Sequence, residues 1–311
     1  KDTTSLAAEA HYDKIQRERN SGKQLEAQMF KLRRLNNFVK ALVLDACCVK
    51  RDAVSSTSCD TKTLLRELRK PGRAKKPEKR DRRPCAVLEL GCGRGGDLGK
   101  WRKAVEVTKL VACDISTESL AEAEKRWSND GPPTGAFVAG DLGDATLAAK
   151  IKGSVGQWSP WADVASCHFA LHYACGSAER IDAFLDCVST NVKAGGVLVA
   201  TIIDWLALKN TIEGSGKIGD LCSVKCSDAM RTRLLQLPDA NSRDAWGVEY
   251  KFTLGDAVVD CAEFVVHLPS LIARAEAKGL KCTLEARFDR FLDGERRNRG
   301  AAFADLAAAI G

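Results

Sequence analysis

The stretch VLELGCGRGGDLGKW, from Val87 to Trp101, decides the fold of this chain. An apolar run typical of a buried strand is followed by four glycines within six residues. Glycine adopts positive φ readily and lets the backbone approach a ligand closely. The residues after this loop open a helix, whose N-terminal amides can receive an anionic group. The stretch therefore predicts a strand–loop–helix unit with a ligand against the loop.

Two classes of nucleoside cofactor are compatible with this loop. Gly91, Gly93 and Gly96 have the G-x-G-x-x-G spacing of dinucleotide-binding proteins. However, Glu89 stands two positions before the first glycine, and E-L-G-C-G is typical of S-adenosylmethionine-dependent methyltransferases. The next apolar segment ends at Asp114, 23 residues after Gly91, where a carboxylate suits a ribose diol in either class. We favour S-adenosylmethionine; a tight turn in another α/β protein is the alternative without a cofactor.

The rest of the chain predicts an α/β fold. Apolar runs that predict strands alternate with helical patterns from residue 85 to residue 204, which indicates a doubly wound parallel sheet with its ligand at the carboxyl edge. The predicted strands cover 86–91, 109–114, 136–141, 162–169 and 195–203, and the predicted helices 96–103, 117–127 and 178–192. Beyond them we predict helix and loop over 205–245, a strand over 247–254, a helix over 262–278, a strand over 280–288 and a helical tail.

Composition indicates one domain with an uneven charge. Residues 1–311 divide into a helical segment (1–49), a basic insertion (50–84), a cofactor-binding core (85–204) and a C-terminal part (205–311). The net charge is +7, and residues 50–83 alone contain 13 basic and five acidic side chains. This insertion is either a solvated linker, an arm that contacts a polyanion or a nuclear-import signal. The chain begins with Lys1, so we expect an excerpt or a processed form.

Cysteine usage indicates a reducing compartment. The 13 cysteines are an odd number and are scattered singly through predicted strands and helices, which favours reduced thiols in the cytosol or nucleus. Cys47, Cys48, Cys222 and Cys226 match no common zinc spacing, so we predict no metal site. No run of about 18 apolar residues occurs, and we predict no membrane span.

Several further motifs follow in a fixed order. They are HYDK (11–14), NNFVK (36–40), LELGCGRGGDLGKW (88–101), DIS (114–116), FALHY (169–173), TIID (201–204) and EFVVHLP (263–269). Together they resemble the eukaryotic mRNA cap guanine-N(7) methyltransferase family from about residue 11 to about residue 291. The G-G-D-L-x-K-W extension and N-N-x-x-K are much more specific than the glycine loop. The resemblance implies a class I, Rossmann-like fold that transfers a methyl group from S-adenosylmethionine to the terminal guanosine of GpppN-RNA, yielding S-adenosylhomocysteine.

This reaction needs no acid or base, because guanine N(7) carries a free lone pair. Direct displacement at a sulfonium methyl relies on positioning and electrostatics. We therefore expect no acid–base residue, and positioning by His172, Tyr173 and Glu263.

The resemblance implies a set of cofactor-binding residues. Lys40 looks like the cation for the methionine carboxylate, Asp114 like the ribose acceptor and Asp141 like the group that reads the adenine amino end. His168 stands where the family often has Gln, and Tyr173 flanks the methyl donor. The full set is Lys40, Gly91, Gly93, Asp114, Asp141, His168, Phe169 and Tyr173.

A second set is implied for the cap. Asn36 and His172 look like guanosine contacts, and Glu263 resembles the carboxylate that accepts from the guanine ring N–H and amine. The remaining cap-binding residues are three cations facing the phosphates, Arg94, Lys100 and Arg126, and two aromatics lining the pocket, Tyr250 and Phe252.

The chain departs from the family in two ways that bear on the cap. Ile203 replaces the proline of the family's T-x-P turn, and no tyrosine follows Tyr250, although the family has a C-terminal strand with one. Either the chain stops before that strand or this member does without it. The resemblance implies capped RNA as the substrate. Other capping enzymes or an RNA polymerase complex are candidate partners. The expected location is the nucleus, with the cytoplasm as the alternative.

Two other hypotheses stay open. A methyltransferase of another RNA or of a small molecule should lack N-N-x-x-K and Glu263 together. A non-catalytic subunit of a capping complex with this fold should lose its glycines or its strand-end acids. The chain keeps all of these features, which favours catalysis on a cap.

Overall fold

The structure, a computed structural model, describes Asp13 and residues 30–49, 84–131, 133–156, 160–218, 222–255 and 258–299. The predicted basic insertion, apart from Pro84, lies outside these residues. So do HYDK, apart from Asp13, and residues 300–311 of the predicted helical tail.

A sheet of five parallel strands forms the centre of the molecule, in the order β3-β2-β1-β4-β5. Its middle strand, β1, is buried from Cys85 to Leu90. Alternate residues of this strand enter two different apolar cores, Leu88 on one face and Val87 on the other, as the period of two requires. The predicted doubly wound parallel sheet is confirmed. The strands are β1 (Pro84–Leu90), β2 (Glu106–Asp114), β3 (Gly135–Ala139), β4 (Ala162–His168) and β5 (Val192–Thr201).

Helices cover both faces of this sheet. Two of them begin with a serine cap close to the carboxyl edge: the Ser116 hydroxyl accepts from the Ser119 amide, and the Ser177 hydroxyl from the Arg180 amide. In the described residues the helices are α1 (Phe30–Val49), α2 (Leu98–Ala104), α3 (Thr117–Asn129), α4 (Leu147–Val155), α5 (Ala178–Asn191), α6 (Trp205–Glu213), α7 (Asp228–Gln236), α8 (Leu268–Ala277) and α9 (Phe288–Arg299).

Helix α1 packs against α2, β5 and α9. Phe38, Val39 and Leu42 form an apolar cluster with Phe291 of α9, while Leu44 joins the core under the central sheet. This packing fixes the face of α1 that carries Lys40 next to α2, which follows the glycine loop.

A second sheet of four antiparallel strands follows, in the order β6-β7-β8-β9. Its strands are β6 (Lys217–Ile218), β7 (Cys222–Lys225), β8 (Glu249–Leu254) and β9 (Val258–Phe264). The first two lie in the region predicted as helix and loop over 205–245.

The predicted helix over 262–278 is wrong at its start, because Glu263 and Phe264 belong to strand β9 and the helix begins only at Leu268. Pro269 in the first turn of α8 suits a helix start, since its missing amide would have no intrahelical partner there. The predicted strand over 280–288 is also wrong: residues 280–287 form no regular element and Phe288 begins α9.

We predict that Gly91→Ala destabilises the protein by about 1–3 kcal/mol in urea unfolding, because a positive φ and a steric clash combine there. The φ of Gly91 is 71°, and an added Cβ would collide with the Cβ of Ala170. Gly96 is the matched control, since a Cβ there meets nothing within 4 Å. Equal stabilities for Gly91→Ala and Gly96→Ala would show that the loop tolerates a side chain at the first glycine.

Candidate active site

The glycine loop presents backbone and open space beside a half-buried carboxylate. The Gly93 amide donates to Asp114 Oδ2 at 2.7 Å, and the Ser116 amide donates to Asp114 Oδ1 at 2.9 Å. Burial raises the pKa of Asp114, which these amide hydrogen bonds partly offset. A Cβ on Gly93 would meet nothing within 4 Å, so there is open space at the residue whose amide donates to this carboxylate. The arrangement suits a ligand that donates two neighbouring hydroxyl groups.

Asp13 reaches the same place from the N-terminal segment. The hydroxyl of Ser116, which also caps α3, donates to the carboxylate of Asp13. Sequence analysis did not select Asp13, although it lies within the HYDK motif. One residue of that motif is therefore held at the carboxyl end of β2.

A buried aspartate joins two lysines at the start of α2. Lys40 Nζ lies 2.6 Å from Asp97 Oδ2, and Lys100 Nζ lies 2.6 Å from Asp97 Oδ1. Asp97 is only 5% exposed; burial acts to raise its pKa, but the two ammonium groups lower it below the usual value. Lys100 also bonds Asn37 Oδ1 at 3.1 Å, which ties α1 to this group. Asp97 was missed from the sequence, and its place in G-G-D-L-x-K-W was the available signal.

Glu89 lies behind this group at the end of β1. Its carboxylate accepts from the Trp101 indole and, at 3.3 Å, from the Ser166 hydroxyl. Burial, and secondarily the charge of Asp97, raises the pKa of Glu89 to about 7. In the sequence, Glu89 indicated only the class of cofactor. The structure shows that it accepts a hydrogen bond from Trp101, the last residue of the motif.

The end of β4 contributes two adjacent predicted cofactor residues. His168 Nδ1 lies 3.2 Å from Thr201 Oγ1, and its buried Nε2 has no hydrogen-bond partner among the described residues. Burial lowers the pKa of His168 to about 4, so the ring is neutral at pH 7. Phe169 has a φ of 56° and places its ring 5.9 Å from Lys40 Nζ and 6.2 Å from the Phe288 ring. The structure thus brings His168 and Phe169 to the lysine–aspartate group.

Asp141 follows β3 and is held by an arginine that sequence analysis did not select. Arg180 Nη2 donates to Asp141 Oδ1 at 2.8 Å and Nη1 donates to Oδ2 at 3.2 Å. The same Nη2 donates to the Tyr173 carbonyl at 2.9 Å, and the Gly143 amide donates to Asp141 Oδ1. No motif marked Arg180, because it lies 39 residues from its partner in the sequence.

Two of the residues predicted for the guanosine, His172 and Glu263, lie next to each other where the segment after β4 meets β9, whereas Asn36 lies on α1. His172 Nε2 lies 3.6 Å from Glu263 Oε1, and the Tyr250 hydroxyl donates to Glu263 Oε2 at 2.8 Å. Burial raises the pKa of Glu263 to about 7, and burial lowers that of His172 to about 3. The His172 and Tyr173 rings lie 4.1 Å apart. His172 is therefore neutral, and a carboxyl that can ionise near neutral pH stands beside it.

Pairing of β8 with β9 explains why these side chains share a face. Tyr250 is opposite Glu263, and Phe252 is opposite Cys261. The Cys261 thiol lies 3.5 Å from the Tyr173 hydroxyl, so this face of the sheet borders the segment after β4. Tyr250 and Phe252 accordingly lie with Glu263, as the predicted pocket requires.

The three cations predicted for the cap phosphates fall into two groups. Arg94 and Arg126 lie 3.7 Å and 3.1 Å from Glu122 on α3, whereas Lys100 belongs to the Asp97 group. Asn36 is half-buried on α1 and precedes Asn37, which bonds Lys100. The structure thus does not bring the three cations to one place.

The described residues contain no cluster of three or more His, Cys, Asp or Glu side chains arranged for a metal ion. In the same part of the chain, no helix has the length and apolar character needed to cross a membrane.

Comparison with known proteins identifies the family. Residues 70–306 match the mRNA (guanine-N(7))-methyltransferase domain. The chain belongs to this family. The mRNA cap guanine-N(7) methyltransferase of Schizosaccharomyces pombe is 30% identical over 220 residues, covering 69% of this chain and 58% of the relative. That of Candida glabrata is 26% identical over 288 residues, covering 90% of this chain and 60% of the relative.

The chain spans less than two thirds of the length of these two relatives. Among solved structures, an S-adenosylmethionine-dependent methyltransferase from Clostridium acetobutylicum is 16% identical with a TM-score of 0.40, covering 62% of this chain and 72% of that chain.

The raised pKa of Glu263 predicts a pH-dependent stability. Between pH 4.5 and about 7 the folded protein binds this proton more tightly than the unfolded chain, so the contribution of Glu263 to stability falls as pH rises through that window. We expect Glu263→Gln to gain stability relative to the wild type from pH 5 to pH 8. Urea unfolding of both proteins at each pH measures this difference and cancels the opposite contributions of His168 and His172.

The control for this experiment is Glu249→Gln, a half-buried glutamate at the start of β8. Parallel pH profiles for Glu263→Gln and the wild type would contradict the assignment of a raised pKa to Glu263.

Proposed function

We propose that the chain is the catalytic domain of an mRNA cap guanine-N(7) methyltransferase. It transfers a methyl group from S-adenosylmethionine to N(7) of the terminal guanosine of GpppN-RNA and releases S-adenosylhomocysteine. The observation that carries this proposal is the buried Glu263 carboxyl, held by Tyr250 and placed 3.6 Å from His172, beside the edge that carries the glycine loop.

The cofactor side of the site suits S-adenosylmethionine. Asp114 stands beside open space at Gly93 and can accept from the two ribose hydroxyls. Lys40 and Asp97 offer opposite charges to the carboxylate and ammonium of the methionine part. The buried Nε2 of His168 offers a further polar contact next to them. When bound, the cofactor supplies an electrophilic methyl group on a sulfonium.

Glu263 accounts for guanine selectivity. An ionised carboxylate only accepts hydrogen bonds, and guanine offers two donors on one edge, the ring N1–H and the exocyclic amine. Adenine lacks the N1 donor, so it would leave a buried carboxylate oxygen without its partner. Because Tyr250 already donates to one oxygen, the carboxylate has a fixed orientation toward the base.

Electrostatics favour the same reaction. The sulfonium and the methylated guanine each carry a positive charge, so a nearby imidazolium would oppose both ligands. Burial lowers the pKa of His172 to about 3 and so keeps its ring neutral at pH 7, while the negative charge of ionised Glu263 favours the cationic product. Since N(7) needs no deprotonation, the residues of the site align the lone pair with the methyl group and exclude water.

The second sheet and the central sheet share one core, which supports a single methyltransferase domain over residues 1–311. Leu88 and Leu90 of β1 belong to the same apolar cluster as Tyr250 and Phe264. From the family alone, we extend the proposal to other capping enzymes or an RNA polymerase complex as partners and to the nucleus as the location, with the cytoplasm as the alternative.

The first test is methyl transfer from labelled S-adenosylmethionine to GpppA and to short GpppA-capped RNA, with ApppA as the control acceptor. We expect label in both guanosine caps and none in ApppA. Transfer to a different RNA position would identify a methyltransferase of another substrate class. Binding of S-adenosylhomocysteine without any transfer would support a non-catalytic subunit.

Removal of the Glu263 charge should separate cap recognition from cofactor binding. We expect Glu263→Gln to lose about 100-fold in kcat/KM for GpppA-RNA, since a buried acceptor facing two donors is lost. Isothermal titration with S-adenosylhomocysteine should give an unchanged Kd. Wild-type turnover in this variant would remove Glu263 from the guanine site.

Asp114 should control the cofactor alone. We expect Asp114→Asn to weaken S-adenosylhomocysteine binding about tenfold or more, because a hydrogen bond to a charged acceptor contributes about 1.5–3 kcal/mol. Asp130→Asn, an exposed carboxylate at the end of α3, is the matched control and should bind normally. An unaltered Kd for Asp114→Asn would place the ribose elsewhere.

A further inference from the structure

Arg180, in the first turn of α5, joins two loops at the carboxyl edge of the sheet. Its guanidinium forms a two-pronged pair with Asp141 after β3, at 2.8 Å and 3.2 Å, and donates to the Tyr173 carbonyl after β4 at 2.9 Å. Such a fork matches the plane of a carboxylate and fixes its orientation, which the single ammonium of lysine cannot do. The Arg180 side chain is 17% exposed and that of Asp141 is 6% exposed.

The loop after β3 is shaped around this guanidinium. A Cβ on Gly143 would lie 2.6 Å from Arg180 Cζ and 2.8 Å from Nη2, so only glycine leaves the arginine its present position. The Gly143 amide also donates to Asp141 Oδ1, the oxygen that accepts from Arg180 Nη2. The loop after β3 therefore leaves space for the guanidinium at Gly143 and orients the Asp141 carboxylate toward it.

The two loops face different ligands of the proposed reaction. Asp141 stands on the side proposed for the adenine of the cofactor. Tyr173 belongs to the 3-10 segment Leu171–Gly176, in which His172 lies against Glu263 on the guanosine side. One side chain thus holds a carboxylate for one substrate and a backbone segment for the other.

We propose that Arg180 is a positioning residue that couples cofactor binding to cap binding, by orienting Asp141 toward the adenosine and by anchoring the segment that carries His172 and Tyr173. This inference rests on the proposed function and adds to it a residue that acts through Asp141 and through the Tyr173 carbonyl. It implies that either ligand, by ordering its own loop, raises the affinity for the other, since coupling between two sites is reciprocal.

The test compares Arg180→Gln, Arg180→Lys and Gly143→Ala with the wild-type chain. Isothermal titration gives the Kd of S-adenosylhomocysteine with and without GpppA, and steady-state assays give kcat and KM for GpppA-RNA. We expect Arg180→Gln to raise the Kd about tenfold, to raise the KM, and to bring the ratio of the two Kd values close to one. Arg180→Lys should give Kd and KM values between those of Arg180→Gln and the wild type, since lysine keeps the charge and loses the two-pronged hydrogen bonding to Asp141.

Arg274→Gln is the matched control. Arg274 of α8 pairs with Asp182, which lies on α5 like Arg180 but outside the site. This control variant should lower the Tm and leave Kd, KM and their coupling unchanged. In an Asp141→Asn background, Arg180→Gln should change the Kd much less than in the wild type, since residues that act together are not additive.

The proposal would be overturned if Arg180→Gln folds and its Kd, its KM and the ratio of its two Kd values all stay within about twofold of the wild type. Sites that do not interact are expected to show a spread of that size. If Arg180→Gln does not fold, Gly143→Ala decides, because it retains every charge and displaces only the guanidinium; wild-type constants in Gly143→Ala and Arg180→Lys would then overturn it. Absence of binding and of methyl transfer in the wild type would instead refute the proposed function, and the two failures are thereby distinguished.

Discussion

A carboxylate that leaves water must find donors or cations inside the protein, and this requirement organises the carboxyl edge of the sheet. Five acids, four of them buried and Asp114 half-buried, meet it in different ways. Trp101 donates to Glu89 at the end of β1, and two lysines pair with Asp97 before α2. Backbone amides donate to Asp114 at the end of β2. An arginine fork holds Asp141 after β3, and a tyrosine holds Glu263 on β9. Because these donors come from α1, α2, α5, the second sheet and the loops after β1 and β2, the edge is complete only when all of these elements are in place.

The same requirement sets the charge that a ligand meets. Both histidines of the site are neutral, since burial lowers their pKa far below 7, and the acids stand nearby. Lys40 and Lys100, the two ammonium groups beside the position proposed for the methionine part, are both paired with Asp97. An environment of neutral rings and oriented carboxylates favours a sulfonium donor and a cationic product, and water would supply no such orientation. Catalysis without an acid or a base is therefore consistent with how the site is stabilised.

The central sheet could be predicted because its information is local: an apolar run, a glycine loop and an acid at the next strand end lie close together in the sequence. Strand β9 could not, since V-V-D-C-A-E-F suits a helix as well as a strand, and only pairing with β8 decides between them. The site residues implied by the family resemblance fall largely into two contiguous groups. Arg180 escaped notice because its partner Asp141 lies 39 residues away, and Asp97 because one of its two partners, Lys40, lies 57 residues away. A charged residue at the start of a helix also resembles a solvated one.

The end of β4 explains how residues that follow one strand can reach two separate groups of side chains. Successive strand side chains point to opposite faces, so a regular extension of β4 would send His168 and Phe169 to opposite sides of the sheet. Phe169 instead takes a φ of 56°, a conformation that costs a non-glycine residue about 1–3 kcal/mol, and the chain turns into the 3-10 segment. This turn leaves His168 beside the lysine–aspartate group and brings His172 to Glu263 four residues later. The strain is retained because packing of Phe169 against Phe288 and Lys40 holds it, so that α1 and α9 together maintain the relative positions of these two groups.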